Sequence, residues 1–206
     1  MNGKGVVSSL DFILQWIMRL AIVNLLWILF SLLGLIVGGV FPATVAALGV
    51  SRKWIMGDQE IKIWQTFKHI YRQDFISANI LGWLLSIGGG LLYANYRVIA
   101  SSAGEIFFVI PFAFYLVVFL YTIIVIWCFP LLAHYQANWF HHIRNALIIG
   151  LTKIHYTIAS GVFVIGVTYF SLEYPGVLPF FSISIMTVGC MWFSMQIFKK
   201  MDNRPS

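Results

Sequence analysis

A metal site is the first chemistry that this sequence suggests, because two histidines and two asparagines share one polar stretch. His134, Asn138, His141 and Asn145 recur at offsets of four, three and four, a spacing that places them on one face of a continuous helix. The two histidines would, however, lie about two turns, or roughly 10 Å, apart along that helix. No Asp, Glu or Cys between His134 and Lys153 could complete a site. We therefore interpret these histidines as surface or packing residues and predict no metal site.

The sequence lacks the short motifs of common catalytic and nucleotide-binding sites. It has no Gly-x-x-x-x-Gly-Lys phosphate loop, no His-Glu-x-x-His zinc helix and no Gly-x-Ser-x-Gly elbow. Cys128 and Cys190 lie in apolar runs and are interpreted as small buried hydrophobic residues. Acids such as Asp74, Glu105 and Glu173 lie at the boundaries of apolar runs or between them, whereas coupled transporters usually place an ionisable group mid-bilayer. The sequence thus predicts no enzyme, no cofactor and no ion-coupled transport by this chain alone.

A basic amphipathic helix is predicted at residues 60–75, which read EIKIWQTFKHIYRQDF. Aromatic residues recur there at helical spacing, and cations occupy other positions. The residues concerned are Trp64, Phe67, Tyr71 and Phe75, with Lys62, Lys68 and Arg72. Such a helix lies in the headgroup region of a bilayer, with its aromatic face sunk and its cations on anionic lipid. The alternative is a docking surface for a cytoplasmic partner.

Two patterns of small residues predict close contacts between helices. Gly34 and Gly38 form a Gly-x-x-x-Gly motif, and Ser86 and Gly90 repeat its spacing. Small residues at this spacing let membrane helices approach each other closely. Each face either packs within this chain or meets another membrane subunit, and the sequence leaves both alternatives open.

Membrane-spanning helices must position all of these residues. Of the 206 residues 60% are apolar and only 10% are charged, whereas soluble domains carry about 25% charged residues. Runs without charge are long enough to span a bilayer, and in lipid every backbone polar group must be bonded within its own segment. The predicted fold is therefore all-α: one polytopic membrane domain over residues 1–206, with about five transmembrane helices and amphipathic cytoplasmic connector helices. The spans are predicted at residues 20–40, 75–96, 106–130, 154–172 and 176–198.

The first run without charge, Leu20–Ser51, is longer than one span and shorter than two. One interpretation is a single span to about Val40, followed by a helix over Ala43–Trp54 along the cytoplasmic surface. The other is a hairpin whose short return limb covers Ala43–Val50. The weak apolarity of that limb favours the single span.

Lysine and arginine concentrate on one side of the predicted membrane. Ten of the thirteen lie in residues 52–72, in residues 144–153 or in the tail after Phe198, whereas the connectors 97–105 and 173–175 contain Arg97 alone. The positive-inside rule then predicts a multi-pass protein of the cell membrane with a cytoplasmic C-terminus. Because this topology explains the net charge of +6, no binding of nucleic acid is predicted.

Six segments carry a resemblance to a known family. They are Asn24–Trp27, Phe41–Leu48, Arg52–Trp54, Thr66–Phe75, Phe129–Leu132 and Arg144–Leu147. In this order they resemble the YesL family of small multi-spanning membrane proteins, found mainly in Gram-positive bacteria, and the similarity covers nearly the whole chain. Members are commonly encoded beside ABC importers for oligosaccharides and glycans, so the resemblance implies a role alongside sugar uptake. It implies no catalytic residue.

These observations lead us to expect a non-enzymatic accessory membrane subunit in carbohydrate transport. Its partners would be the lipid bilayer and the permease subunits and ATPase of a sugar ABC importer. The chain lacks the Glu-Ala-Ala signature of the permeases themselves. The alternative is a self-standing channel or facilitator formed by homo-oligomers.

Overall fold

Long apolar helices dominate the computed structural model of the protein, which describes residues 3–101 and 109–202, with side chains from residue 9 onward. Five helical segments are long and apolar enough to cross a membrane, namely Ser9–Leu33, Phe75–Ser101, Val109–His134, Ile154–Glu173 and Pro175–Asp202. They confirm the predicted all-α membrane fold. The predicted beginning of the third span at 106–108, Glu105 and Arg204 lie outside the described residues.

The described residues form α-helices that short turns connect. In chain order they are α1 (Gly3–Leu33), α2 (Val40–Ile55), α3 (Ile63–Gln73), α4 (Phe75–Ser101), α5 (Val109–His134), α6 (Trp139–Thr152), α7 (Ile154–Glu173) and α8 (Ile183–Asp202). A 3-10 turn (Pro175–Val177) and a π-helical turn (Leu178–Ser182) lead from α7 into α8. The first span begins before its predicted range, because exposed apolar residues such as Phe12 and Ile17 continue α1 beyond Arg19 toward the N-terminus.

Helix α2 runs back along α1 and forms a hairpin with it. The rings of Trp16 and Trp54 lie 5.6 Å apart, and Trp27 Nε1 donates to Thr44 Oγ1 at 3.0 Å. Ten of the 16 residues of α2 are buried, and Ser51 Oγ lies 3.4 Å from Thr187 Oγ1 of α8. The favoured prediction of a surface helix over Ala43–Trp54 was therefore wrong, and the hairpin alternative describes the fold. Its small residues let α2 pack among several helices at once.

The turn that joins α1 to α2 satisfies its own backbone. Every N–H from Gly34 to Val40 donates a hydrogen bond to a carbonyl of α1 or of the turn. Leu35, 83% exposed, and Ile36, 58% exposed, have positive φ angles. Because no amide in it lacks a partner and its tip is apolar, such a turn is compatible with contact to lipid.

Asn24 of α1 holds the beginning of the last helix. Its buried amide donates to Pro179 O at 2.7 Å and to Leu178 O at 3.3 Å, and its Oδ1 accepts from Ile183 N at 2.9 Å and Ser184 N at 3.3 Å. Pro179 cannot donate a helical hydrogen bond, and the first amides of a helix need partners from outside it. One side chain of α1 thus bonds the irregular backbone that precedes α8.

Candidate functional site

The ends of α2, α5 and α8 meet at one end of the bundle. Arg52 Nη1 donates to His134 O at 3.0 Å, and Lys199 Nζ donates to Ile55 O at 3.5 Å. His134 Nε2 lies 3.2 Å from Asp202 Oδ2. Arg52 and Lys199, which the charge distribution assigns to the same side of the membrane, therefore lie at the same end of the molecule.

A polar cleft of about 460 Å³ opens between these helix ends and α3. It is lined by Arg52, Lys53, Gln65, Thr66, His69, Ile70, Gln73, Asp74, Leu132, Ala133, His134, Tyr135 and Gln136. Two grooves share part of this lining, one beside Tyr135 and Ser77 and one along α3 past Lys68 and Arg72. We use the name polar cleft for the volume of about 460 Å³ alone, without the two grooves.

Arg52 is the half-buried cation of the polar cleft. Its Nε is buried and has no hydrogen-bond partner among the described residues. Burial lowers the pKa of Arg52, which the nearby Asp74 carboxylate opposes. Burial likewise raises the pKa of Asp74, against the effects of Arg52 and His69. Loss of hydration thus dominates the pKa of both groups.

A network around Asp202 ties the end of α8 to the end of α5. Tyr135 Oη donates to Asp202 Oδ1 at 2.8 Å, and the Phe198 ring stacks on His134 with 4.8 Å between centroids. Burial, followed by the interaction with Asp202, raises the pKa of Tyr135. The Nδ1 atom of His134 is buried and, within the described parts of the chain, has no partner. The network thus fixes the position of the imidazole in the wall of the polar cleft.

Helix α3 has the predicted amphipathic character, but its aromatic face packs inside the protein. Phe67 is fully buried and Tyr71 nearly so. The ring of Phe30 in α1 lies 5.2 Å from that of Phe67 and 4.9 Å from that of Tyr71, whose hydroxyl donates to Phe30 O at 3.2 Å. Of the three aromatic residues Trp64, Phe67 and Tyr71, only Trp64 remains half-exposed. The prediction that Phe67 and Tyr71 sink into the headgroup region was wrong, because residues of α1 and α2 cover both rings.

The cations on α3, and Lys62 directly before it, remain accessible. Lys62 and Arg72 are exposed, and Lys68 is partly exposed. Lys68 and Arg72 border the groove that extends the polar cleft along α3. Their contact with anionic lipid, or with a cytoplasmic partner, stays a prediction.

The two small-residue patterns have different surroundings. Gly34 and Gly38 lie in the turn after α1 and form no helix face; a Cβ on Gly34 would overlap Gly39 Cα and lie 2.8 Å from Tyr71 Oη. Ser86 and Gly90 lie on the exposed side of α4, and a Cβ on Gly90 would meet no atom of the described residues within 4 Å. Of the two patterns, that of α4 is therefore the accessible one.

The predicted row of His134, Asn138, His141 and Asn145 does not form one helix face. Helix α5 ends at His134 and α6 begins at Trp139, so the helical spacing is interrupted. No group of three or more His, Cys, Asp or Glu side chains in the described residues could hold a metal ion.

Sequence reasoning did not combine Arg52, Asp74 and His134 into one site. They lie 22 and 60 residues apart along the chain: Arg52 on α2, Asp74 between α3 and α4, and His134 at the end of α5. A signal was nevertheless present, because Arg52, Asp74 and His134 each border an apolar run. Charged residues at span ends on the same side of a membrane are candidates for a common surface.

Comparison with known proteins identifies the family of the chain. Residues 20–96 match the family described as "Protein of unknown function, DUF624". The chain is 33% identical over 187 residues to the "Uncharacterized protein YteU" of Bacillus subtilis (strain 168). These residues cover 91% of this chain and 84% of YteU. The chain belongs to the DUF624 family.

Further relatives of this DUF624 protein are similar along most of their length. The uncharacterized protein YesV of Bacillus subtilis (strain 168) is 31% identical over 189 residues, 90% of this chain and 89% of YesV. The uncharacterized protein YesL of the same organism is 28% identical over 200 residues, 97% of this chain and 94% of YesL. The resemblance to the YesL family is thereby confirmed. No solved structure matches the chain.

The region matched by the DUF624 family contains much of the site. Residues 20–96 run from α1 into α4 and include Arg52, α3, Asp74 and Gly90. His134 and Asp202 come from the remainder of the chain, which the similarity to YteU, YesV and YesL largely covers.

Proposed function

We propose that this DUF624 protein is a non-enzymatic accessory membrane subunit of a carbohydrate ABC importer, packed against the permease subunits through α4. The observation that carries the proposal is the exposed row of Ser86, Gly90 and Ala94 on that helix. The resemblance to the YesL family, whose members are commonly encoded beside such importers, gives the class of partner.

The surroundings of α4 favour this face over the rest of the helix. The buried residues of α4 lie in its first half, at Ala78, Leu81, Gly82 and Leu85. The hydroxyl of Ser86 donates to Gly82 O in its own helix at 2.8 Å, so it brings no unpaired donor to the membrane. A row of small side chains lets the backbone of a partner helix approach closely and form many van der Waals contacts. Lipid chains do not form such close contacts with the row.

In this proposal the ATPase binds on the side of α3, where the basic residues lie. Helix α3 directly precedes α4, and the positive-inside rule assigns its cations to the cytoplasm. In the proposed assembly the protein lies in the cell membrane with a cytoplasmic C-terminus, and α3 lies beside the permease surface that the ATPase binds.

Replacement of Gly90 by leucine tests the contact. The protein is co-expressed with the permeases and ATPase of a neighbouring sugar importer and purified in mild detergent. We expect the wild type to elute with these subunits and Gly90→Leu to elute alone, because the leucine fills the space for the partner backbone. Gly166→Leu on α7 is the matched control, since Gly166 is also helical and exposed, and a Cβ there would have no neighbour within 4 Å in the described part of the chain.

Two outcomes would contradict the accessory role. One is a wild-type protein that elutes without permeases or ATPase. The other is sugar uptake down a gradient by proteoliposomes that contain only this chain, which would support the homo-oligomeric facilitator instead.

A further inference from the structure

The polar cleft has an excess of positive charge that the described residues do not neutralise by direct contact. Within the cleft and its groove along α3, Arg52, Lys53, Lys68 and Arg72 face a single carboxylate, Asp74. No ion pair within 4 Å joins any of these four cations to Asp74 in the described structure. An anion would complete this arrangement.

The orientation of Arg52 narrows the class of anion. Its Nη1 is held by His134 O at 3.0 Å, while its buried Nε has no partner among the residues described. Because Nη1 is anchored and Nε is enclosed by protein, the N–H groups left at the terminal nitrogens of this cleft-lining guanidinium are the ones that a phosphate group can reach. Such charge-assisted hydrogen bonds are strong where water is restricted.

The remaining wall of the polar cleft is suited to hydroxyl groups. Gln65, Gln73 and Gln136 contribute amides that both donate and accept, and Thr66 adds a hydroxyl. The volume of about 460 Å³ falls within the range of small-molecule sites, about 300–1,000 Å³. We propose that the polar cleft binds a phosphate ester of a polyol, with Arg52 as the principal contact to the phosphate.

This inference concerns the chain alone and does not rest on assembly with a permease. The polyol phosphate could belong to a soluble sugar phosphate or to the headgroup of an anionic lipid. Both sources present the same chemistry to Arg52, and the experiment separates them.

The soluble source is tested with the full chain in nanodiscs of phosphatidylcholine. Isothermal titration with glucose 6-phosphate should show one saturable site per chain, whereas glucose at equal ionic strength should bind far more weakly. Arg52→Gln should weaken the binding about tenfold, the equivalent of about 1.4 kcal/mol. Lys62→Gln is the control, because Lys62 is an exposed cation that does not line the cleft.

A second variant keeps the test informative if Arg52→Gln disturbs the fold through its bond to α5. Lys53→Gln removes a cation that lines the cleft and, within the described residues, makes no side-chain hydrogen bond or ion pair to another helix. This variant should therefore fold normally and weaken the same binding.

The lipid source is tested in nanodiscs that also contain phosphatidylglycerol. If the headgroup is the ligand, these discs should raise the unfolding temperature of the wild type but not that of Arg52→Gln or Lys53→Gln, and glucose 6-phosphate should not bind in phosphatidylcholine discs. The proposal is overturned if neither probe has an effect, or if both variants respond to the probes as the wild type does.

Discussion

Asn24 provides the sharpest test of how the bundle is held together. Its side chain makes four hydrogen bonds to backbone groups between Leu178 and Ser184, at 2.7 to 3.3 Å, and it is fully buried. Asn24→Leu keeps a side chain of similar size and makes it apolar. The substitution therefore removes the hydrogen bonds with little change in volume, and any loss of stability reports on those bonds.

The expected loss of stability follows from the number of these hydrogen bonds and from their buried position. Hydrogen bonds between membrane helices contribute on average about 0.6 kcal/mol each, which gives about 2 kcal/mol for four. The backbone groups that lose their partner lie beside Pro179, where the helical pattern cannot replace them, and a buried unsatisfied group costs about 1–3 kcal/mol. We expect Asn24→Leu to lower the free energy of unfolding by about 2–4 kcal/mol.

Unfolding in mixed micelles with increasing SDS, followed by tryptophan fluorescence, measures this free energy. Asn95→Leu is the matched control: Asn95 is exposed, and among the described residues its amide donates only to Leu91 O of its own helix. The effect of this variant should stay within about 0.5 kcal/mol. Equal unfolding curves for Asn24→Leu and Asn95→Leu would refute the role assigned to Asn24.

Three further perturbations have defined outcomes. Gly34→Leu should give almost no monodisperse protein in size-exclusion chromatography, because the side chain would overlap Gly39; wild-type yield would refute the turn geometry. Burial raises the pKa of Asp74 in the folded state, so the stability that its protonated form contributes at acid pH is lost as pH rises through that pKa. Asp74→Asn should therefore raise the unfolding temperature at neutral pH and have little effect below about pH 4; the reverse pattern would contradict this. A periplasmic-type phosphatase fused after Ser206 should be inactive, and activity would place the C-terminus outside.

Local features of the sequence determined the class of the protein. Span length and the absence of charge are properties of each segment by itself, because a bilayer requires only a sufficiently long apolar helix. The ranges 75–96, 154–172 and 176–198 accordingly fall within the helical segments found. Similarity to relatives is also recorded in the sequence, and membership of the DUF624 family needed no coordinates.

Burial by protein and burial by lipid produce the same sequence pattern. Phe67 and Tyr71 have the spacing of a membrane-facing stripe, but in the structure Phe30 covers them. Helix α2 shows the opposite case, since its small residues read as weakly apolar although Ala43, Ala46 and Val50 are fully buried. Hydropathy measures the preference of a residue for an apolar environment. It does not show whether protein or lipid provides that environment.

The candidate site was decided by tertiary structure alone. Arg52 lies on α2, Asp74 between α3 and α4, and His134 at the end of α5. Only the packing of α2 against α5 and of α3 beside them brings these residues to one cleft. Each residue by itself looks like an ordinary charged or polar residue at a helix end. The loss of hydration that makes Arg52 a candidate anion contact arises from neighbours distant in sequence, so no local pattern contains it.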